Sequence, residues 1–396
     1  MDRYYLVYGK GVCQVLFQAP SLDEAELRVI GEIEQLKKRL GYMLREHRRW
    51  IGLLRRTAAA KALRGSNTIE GVNVTLDDAI AAAAGQELLD ADLATKLAVF
   101  GYREAMTYVL QMAKDEHFSY SLDSLKSLHY MMLSFDLGKD PGQLRQGEIS
   151  VRNDQTGLVV YEGPSGDVVR QLTHELVESL NQQSAIPPLV RAAMAHLNLV
   201  MIHPFKDGNG RMARCLQSLV IARSGVLYPE FASIEEYLGS RANTQGYYDV
   251  LAEVGAGRWT PERDTRPWIR FCLTAHFRQA RTVLRRTEMI ERVWNDLEAQ
   301  AKERKLPVRI LYALADAAFG HKVRNATYRA IADISDSLAS HDLMAAVKNG
   351  LLIARGERRG RHYVGSPIVE SIRLANQTEK TIEDPFVAVQ PRLPGF

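Results

Sequence analysis

Apolar residues recur every three or four positions over most of this chain, and that spacing restricts the fold more than any other feature of the sequence. The first long example runs from Ser21 to Thr57 and carries the apolar residues Leu22, Leu27, Ile30, Ile33, Leu36 and Leu40. Residues with this spacing share one face of a helix. Ser21 and Glu24 have the spacing of a capping box, so we expect the helix to begin there. The sequence predicts a mainly α fold.

Strand-like patterns are confined to two short places. Near residues 148–161, apolar residues flank the turn sequence Asn-Asp-Gln-Thr-Gly and predict a β-hairpin. Near the carboxyl end, helices predicted at about 307–318, 327–334 and 337–349 precede two short strands around a basic loop. Three helices followed by a basic hairpin are typical of a winged helix-turn-helix domain.

Composition limits the classes of protein to which the chain can belong. Its 396 residues exceed the roughly 250–300 that one core usually organises, so several domains are expected. A net charge of +4 does not by itself mark a nucleic-acid binder. The three cysteines are too far apart for a disulfide framework or a metal site. The sequence shows no signal peptide and no membrane-length apolar stretch, so we expect a cytoplasmic protein without a membrane partner.

The stretch MIHPFKDGNGRMARC, Met201 to Cys215, predicts a helix, a tight loop and a second helix. The first helix should end near His203, because Pro204 disfavours α-conformation in the residue before it. The loop then leads into a helix amino terminus, where unpaired N–H groups favour an anion. Arg211 and Arg214 in the first turn oppose the helix dipole, which makes sense if an anion normally lies there.

The residue types in this loop fit a phosphate ligand. Gly208 and Gly210 let the backbone approach a phosphate closely, and Asn209 offers a further side-chain donor. Arg211 and Arg214 can fork onto phosphate oxygens. The pattern is not a Walker P-loop, since no Lys-Ser or Lys-Thr follows the last glycine.

Two further residues of the stretch suggest group transfer rather than simple binding. Asp207 would repel a bare phosphate unless it holds Mg²⁺ that bridges the phosphates. His203 titrates near neutrality and can take a proton from an incoming hydroxyl. Each residue alone is more often structural, but together within twelve positions they predict a reactive anion site.

The segment HPFKDGNGRMAR, His203 to Arg214, resembles the complete Fic-family signature, and no position departs from it. The resemblance implies a Fic-type helical core that transfers AMP from ATP to a Tyr, Thr or Ser hydroxyl of a protein target. It makes His203 the base, Asp207 the Mg²⁺ ligand and Arg214 the contact to the γ-phosphate. It also implies that Gly208, Asn209, Gly210 and Arg211 contact the phosphates, and that the hairpin near 148–161 is a flap that docks the target.

A second stretch, LRGSNTIEGVNVTLDD, lies well before the signature. Ser66 and Glu70 are four residues apart on one helix face, and Gly71 is placed to end that helix. Alone, they read as a surface pair before a helix cap. Beside the signature they resemble the family's inhibitory motif, which implies that Glu70 pairs with Arg214 and blocks productive ATP binding. Glu70 could instead orient a water that removes AMP from a target, and the sequence does not separate these directions.

The remaining expectations concern domain organisation and partners. The resemblance suggests a role for Asn243, Tyr247 and Tyr248 at the adenine end of the site. Thr244 departs from the family pattern there, and core packing of the two tyrosines is an equal alternative. We expect an amino-terminal helical region at 1–115, the Fic core at 116–256, a linker helix at 257–304, a winged helix at 305–366 and a loosely held tail at 367–396. The predicted recognition helix carries Asp336 and Asp342 with one lysine, so weak or no DNA binding is expected. A DNA-binding regulator, self-modification and a homo-oligomer stay open.

Overall fold

The computed structural model describes residues 16–45, 48–88, 91–152, 156–225, 233–357, 360–377 and 381–387. These residues are mainly helical, which confirms the predicted fold class. The helices are α1 (Glu24–Arg45), α2 (Ile51–Ile69), α3 (Leu76–Ala83), α4 (Leu93–Met112), α5 (Leu122–Leu133), α6 (Gly166–Asn181), α7 (Pro188–Ile202), α8 (Asn209–Arg223), α9 (Glu235–Leu238), α10 (Arg241–Gly255), α11 (Arg266–Glu303), α12 (Leu311–Ala318), α13 (Asn325–Ala332), α14 (Asp336–Lys348) and α15 (Pro367–Ala375). Short 3₁₀ turns occur at Leu137–Lys139 and Val308–Ile310.

The strands form two separate antiparallel hairpins. The first pairs β1 (Ser150–Arg152) with β2 (Val159–Glu162), and its register is interrupted after Val151. The second pairs β3 (Leu352–Arg355) with β4 (His362–Gly365) in regular register. Both lie where the sequence places them, although the tip of the first, residues 153–155, is outside the described residues.

The apolar side chains form two hydrophobic cores. The first core surrounds α7 and α8, and α7 is buried on nearly every side, as Leu197 and Leu199 show. The second core lies among the helices α12, α13, α14 and α15, and it includes Leu314 and Leu343. Of the described helices, three contribute to both cores: α1, α2 and the long α11. Within the described ranges, no helix combines the length and apolar character that crossing a bilayer requires.

The amino-terminal helix begins two residues later than the sequence suggests. The capping box is formed by Asp23 and Glu26, whose carboxylates accept hydrogen bonds from each other's backbone N–H at 2.9 Å. The expected box of Ser21 and Glu24 is therefore wrong. Glu26 is also held by Arg266 and Arg270 of α11, so tertiary ion pairs select this register. The expected continuous segment is also divided, since α1 ends at Arg45 and α2 begins at Ile51.

Two expectations about the carboxyl-terminal region need correction. Residues Pro367–Ala375 form α15 rather than a loose tail, and Val369 of this helix is buried in the second core. The charge of Asp342, which we expect to disfavour DNA binding by the recognition helix, is not presented to solvent: Asp342 is 1% exposed and pairs with Arg309 at 2.6 Å. It also accepts a hydrogen bond from Tyr328. The winged-helix assignment and the domain boundaries stay predictions.

Candidate active site

His203 stands at the carboxyl end of α7 in a left-handed backbone conformation, with φ of 51°. A side chain other than glycine is disfavoured there by about 1–2 kcal/mol. Its backbone N–H continues the helix by donating to Leu199 O at 3.0 Å, while its unusual ψ turns the chain toward the loop. His203 is thus itself a strained residue, and its backbone conformation directs its side chain at the end of a buried helix.

Side chains satisfy four successive carbonyls at this helix end. His203 Nδ1 bonds Val200 O at 3.1 Å, and the Tyr161 hydroxyl donates to Met201 O at 2.8 Å. The Arg145 guanidinium donates to Ile202 O at 3.2 Å and to His203 O at 2.7 Å. Carbonyls at a helix end have no partner within the helix, so these bonds stabilise the turn and hold His203 in place.

The hydrogen bond to Val200 O determines what the imidazole can do. Because Nδ1 donates its proton to that carbonyl, Nε2 keeps a lone pair in the neutral ring. Burial lowers the pKa of His203, the bond to Val200 O opposes this, and the positive charge of Arg145 adds to the lowering. The ring is therefore neutral at physiological pH and can accept a proton through Nε2.

The Asp207 carboxylate lies in the loop and is engaged at both oxygens. Oδ1 accepts from Gly208 N–H at 2.6 Å, and Oδ2 pairs with Lys139 Nζ at 2.6 Å. Partial burial acts to raise the pKa of Asp207, but these two donors hold it below its usual range. The carboxylate is therefore charged, accessible and already in contact with a cation.

The donor set at Asp207 fits Mg²⁺ that arrives with a phosphate ligand. Mg²⁺ usually binds one or two protein carboxylates and takes its other ligands from water and phosphate. Within the described ranges, no group of three or more His, Cys, Asp or Glu side chains could form an all-protein metal cage.

His129 of α5 holds the loop in place through hydrogen bonds. His129 Nε2 donates to Asp207 O at 2.9 Å, and its Nδ1 accepts from Gly142 N–H at 2.8 Å. Its ring stacks on Phe205 at 3.9 Å between centroids. Burial lowers the pKa of His129 to about 4, so the neutral tautomer that these bonds require is the stable one.

The Asn209 side chain closes the loop. Its Oδ1 accepts from Phe205 N–H at 2.9 Å and its Nδ2 donates to Phe205 O at 2.8 Å. The amide nitrogen has a second N–H, so the expected side-chain donor to phosphate stays a prediction. As the first residue of α8, Asn209 still has a backbone N–H that no helical carbonyl reaches.

The two glycines of the loop fulfil separate steric requirements. Gly208 has φ of 76°, and a Cβ there would come within 2.9 Å of Leu133. A Cβ on Gly210 would lie 2.6 Å from Glu70 Oε1. Glycine at 210 thus lets a carboxylate oxygen approach the first turn of α8, where the helix dipole favours negative charge.

Arg211 and Arg214 are almost completely buried in the first two turns of α8, at 4% and 1% exposure. In the described part of the chain, Arg211 Nε and the second terminal nitrogen of Arg214, NH1, have no hydrogen-bond partner. A buried donor without a partner is costly. These unused donors indicate that the site is built to receive additional acceptors.

The predicted inhibitory residues contact Arg214. Arg214 Nε donates to Ser66 Oγ at 2.9 Å, and its NH2 donates to Ser66 O at 3.1 Å and to Glu70 Oε1 at 2.8 Å. The Glu70 charge and hydrogen bond raise the pKa of Arg214, although burial acts in the opposite direction. Glu70 thus places a carboxylate at the amino terminus of α8, beside the arginine.

The position of Glu70 follows from how α2 ends. Gly71, with φ of 77°, donates to Thr68 O, and Val72 N–H donates to Asn67 O, both at 3.0 Å. These two bonds form a Schellman motif, which fixes Glu70 at the helix terminus. The predicted helix end at Gly71 is confirmed.

The predicted adenine-end residues lie on α10. Asn243 Nδ2 donates to Tyr237 O at 2.8 Å, which ties α10 to α9. The buried Tyr247 hydroxyl bonds His196, whereas the Tyr248 hydroxyl donates to Ile69 O at 3.0 Å, next to Glu70. Tyr247 is thus a core residue, and a role of Asn243 toward adenine stays a prediction.

Four residues that shape the site could not be recognised in the sequence: Arg145, Tyr161, His129 and Lys139. All four lie 40 to 80 positions before their contacts in the loop or at the end of α7, as the separation of 78 for His129 and Asp207 shows. The one indication in the local sequence is the position of Tyr161 in the predicted hairpin. Their types are too common to indicate these contacts before the tertiary fold is known.

Comparison with known proteins agrees with this geometry. Residues 119–221 match the model of the Fic/DOC family. Protein adenylyltransferase fic-1 of Caenorhabditis elegans is 31% identical over 176 residues, which are 44% of this chain and 30% of that protein. Protein adenylyltransferase Fic of Nematostella vectensis is 29% identical over 213 residues, 52% of this chain and 44% of that protein. The chain thus spans less than half the length of these relatives.

Solved structures show the same fold. A Fic family protein from Desulfovibrio desulfuricans G20 aligns with 89% of this chain and 99% of its own, with a TM-score of 0.56 and 20% identity. Fic-1 of C. elegans, residues 134–508, aligns with 65% of this chain and 72% of its own, with a TM-score of 0.53 and 23% identity. The expected resemblance is confirmed at the level of the domain: residues 119–221 match the Fic/DOC family model, and the solved structures share the fold.

Proposed function

We propose that this protein is an adenylyltransferase that transfers AMP from ATP to a hydroxyl side chain of a protein target, and that Glu70 inhibits it. The observation that carries the proposal is the Glu70 carboxylate at the amino terminus of α8, paired with a buried arginine that keeps an unused donor. A site that holds one anion in this way fits the terminal phosphate of a nucleotide. The names of the curated relatives support the same activity.

The residues of the site have separate roles in the proposed reaction. Backbone N–H groups at the start of α8, together with Arg211 and Arg214, hold the phosphates. His203 Nε2 accepts the proton of the target hydroxyl. A bond then forms between the hydroxyl oxygen and the α-phosphorus, the bond from that phosphorus to the bridging oxygen breaks, and pyrophosphate leaves. Mg²⁺ bound at Asp207 would neutralise charge on the phosphates.

Inhibition follows from competition for Arg214. While Glu70 Oε1 lies 2.8 Å from the guanidinium, a phosphate at that position would meet a carboxylate instead of a free donor. Like charges at such a distance repel strongly in a buried site. ATP is then excluded or misplaced for transfer.

The test compares Glu70→Gly with the wild-type chain after incubation with ATP and Mg²⁺, using intact-protein mass as the readout. We expect Glu70→Gly to gain the mass of one AMP and the double variant with His203→Ala to gain none. Glu87→Gly removes the same charge from an exposed residue near α3 and serves as the matched control, which should behave as wild type.

If no variant gains mass, nucleotide binding decides the matter. Binding of ATP that tightens in Glu70→Gly would retain the transferase and direct the search to a separate target protein. Failure of every variant to bind a nucleotide would refute the proposal and leave the carboxyl-terminal module as the main functional element.

A further inference from the structure

The contact between Lys139 and Asp207 lies where the proposed function requires a metal ion. Lys139 Nζ is 2.6 Å from Asp207 Oδ2, and the other carboxylate oxygen is occupied by Gly208 N–H. A divalent cation could reach Oδ2 only after the ammonium moves away. The inference below rests on the proposed function in taking Asp207 as the metal ligand.

Lys139 belongs to a short turn that also offers it a second carboxylate, that of Asp136. The 3₁₀ turn Leu137–Lys139 begins at Asp136, whose carboxylate caps the turn through Gly138 N–H. Asp136 Oδ2 lies 3.9 Å from Lys139 Nζ, so one ammonium lies between two carboxylates. A small side-chain rotation would exchange one partner for the other.

The turn itself is held to the loop independently of Lys139. Lys206 Nζ donates to Gly138 O at 2.8 Å and to Asp140 Oδ2 at 3.3 Å. Lys139 is therefore not required to dock the turn. About a third of its side chain and of that of Asp207 is exposed, and ion pairs of this kind are weak and exchange readily.

We propose that Lys139 is the counter-cation of Asp207 in the nucleotide-free protein, and that the metal of a metal–nucleotide complex replaces it. Its charge keeps an unpaired carboxylate from repelling the incoming phosphates. It also competes with free metal, which favours delivery of the metal together with the nucleotide. On replacement the ammonium turns to Asp136. Lys139 is thus a positioning residue that sets the metal dependence of the site.

The first test measures binding of Mn²⁺ alone to the full chain, from the electron paramagnetic resonance signal of free Mn²⁺. We expect Lys139→Ala to bind Mn²⁺ about two- to fivefold more tightly than wild type, the range that loss of a weak ion pair allows. Lys139→Arg should stay near wild type, and Asp207→Ala should lose this binding. Lys126→Ala removes the same charge from α5, without a role in docking the turn, and is the matched control.

The second test measures the dissociation constant of a non-transferable ATP analogue with Mg²⁺ and with EDTA, in the Glu70→Gly background. Without metal, Lys139→Ala should bind the analogue more weakly than the parent. The ratio of the EDTA constant to the Mg²⁺ constant should therefore rise at least severalfold, but not for Lys139→Arg or Lys126→Ala.

The outcomes separate this inference from the proposed function. Equal Mn²⁺ affinity in Lys139→Ala and wild type, or an equal gain in Lys126→Ala, would overturn the inference. Mn²⁺ binding that survives Asp207→Ala would overturn it as well. If the analogue binds to no variant, the proposed function fails, and the Mn²⁺ titration alone decides whether Lys139 blocks a cation site.

Discussion

At the scale of single residues, His203 combines a disfavoured backbone with a directed ring nitrogen. Its left-handed conformation is stabilised by bonds that come from distant parts of the chain, above all from Arg145 and Tyr161. Burial of the ring then lowers its pKa, with a further contribution from the charge of Arg145. The local strain and the chemistry of the site therefore share one cause, the packing around the end of α7.

The lowered pKa predicts how the proposed transfer depends on pH. A lowered histidine pKa means that the neutral base persists below the usual value of about 6.5. In Glu70→Gly we expect a level single-turnover rate from about pH 8 to 6.5 and a decline only below that range. Nucleotide affinity measured over the same range serves as the control. A decline that already begins above about pH 7 would contradict the assignment of His203 as the base.

The sequence predicts chemical identity at this scale better than geometry. His203, Asp207 and Arg214 were recognisable because they lie within twelve positions, and Glu70 because its motif lies in one helix. The loop-closing bonds of Asn209 to Phe205 could not be predicted, because the sequence does not show that the two residues face each other across the loop. Arg145 and Lys139 could not be predicted, because their contacts arise only from the tertiary fold.

At the scale of elements, the position of α2 depends on one close crossing with α9. A Cβ on Gly65 would lie 2.0 Å from the backbone oxygen of Glu235. A Cβ on Gly239 would lie 2.5 Å from the Cα of Gly65, at the same crossing. Ser66, which bonds Arg214, is the next residue. The distance between these two helices therefore determines whether the inhibitory contact can form.

Gly65→Ala should separate the two helices. We expect a loss of about 1–3 kcal/mol in the free energy of unfolding, as for other overpacked sites, together with a rise in self-modification toward that of Glu70→Gly. Gly31→Ala in α1 is the control, because its Cβ would project into open space among the described residues. A destabilised Gly65→Ala that stays as inactive as wild type would contradict the link between the crossing and inhibition.

Helix ends show how far local patterns reach at this scale. Thr75 caps α3 by accepting from Asp78 N–H, as its place before an apolar run predicts. The start of α1 was predicted incorrectly because two capping boxes overlap in the sequence, and ion pairs from α11 select the second. Local sequence offers the alternatives, and tertiary contacts choose between them.

At the scale of the whole molecule, α1, α2 and α11 connect the two hydrophobic cores. In α2, Leu53 and Leu54 pack in the second core, whereas Leu63 and Ile69 pack in the first. The ion pair of Arg56 with Asp316 at 2.7 Å adds a link from α2 to α12. The two cores should therefore lose their structure together.

Asp316→Asn tests this coupling. Removing one charge of a largely buried pair should lower the free energy of unfolding by about 1–3 kcal/mol. Trp50 and Trp294 report on the second core, whereas Trp268 and Trp259 report on the first. Urea unfolding followed by fluorescence in Trp50→Phe/Trp294→Phe and in Trp259→Phe/Trp268→Phe backgrounds should show the same shift from Asp316→Asn. A shift confined to the second core would show that the cores unfold separately.

The Glu70–Arg214 contact joins residues of one chain, and this has a consequence for any inhibition it produces. A separate inhibitor is lost on dilution, whereas a tethered one has an effective concentration fixed by the chain itself. The degree of inhibition should then be the same at every protein concentration for as long as α2 keeps its position. Only the supply of nucleotide, or a change in the helix that carries Glu70, could alter the balance.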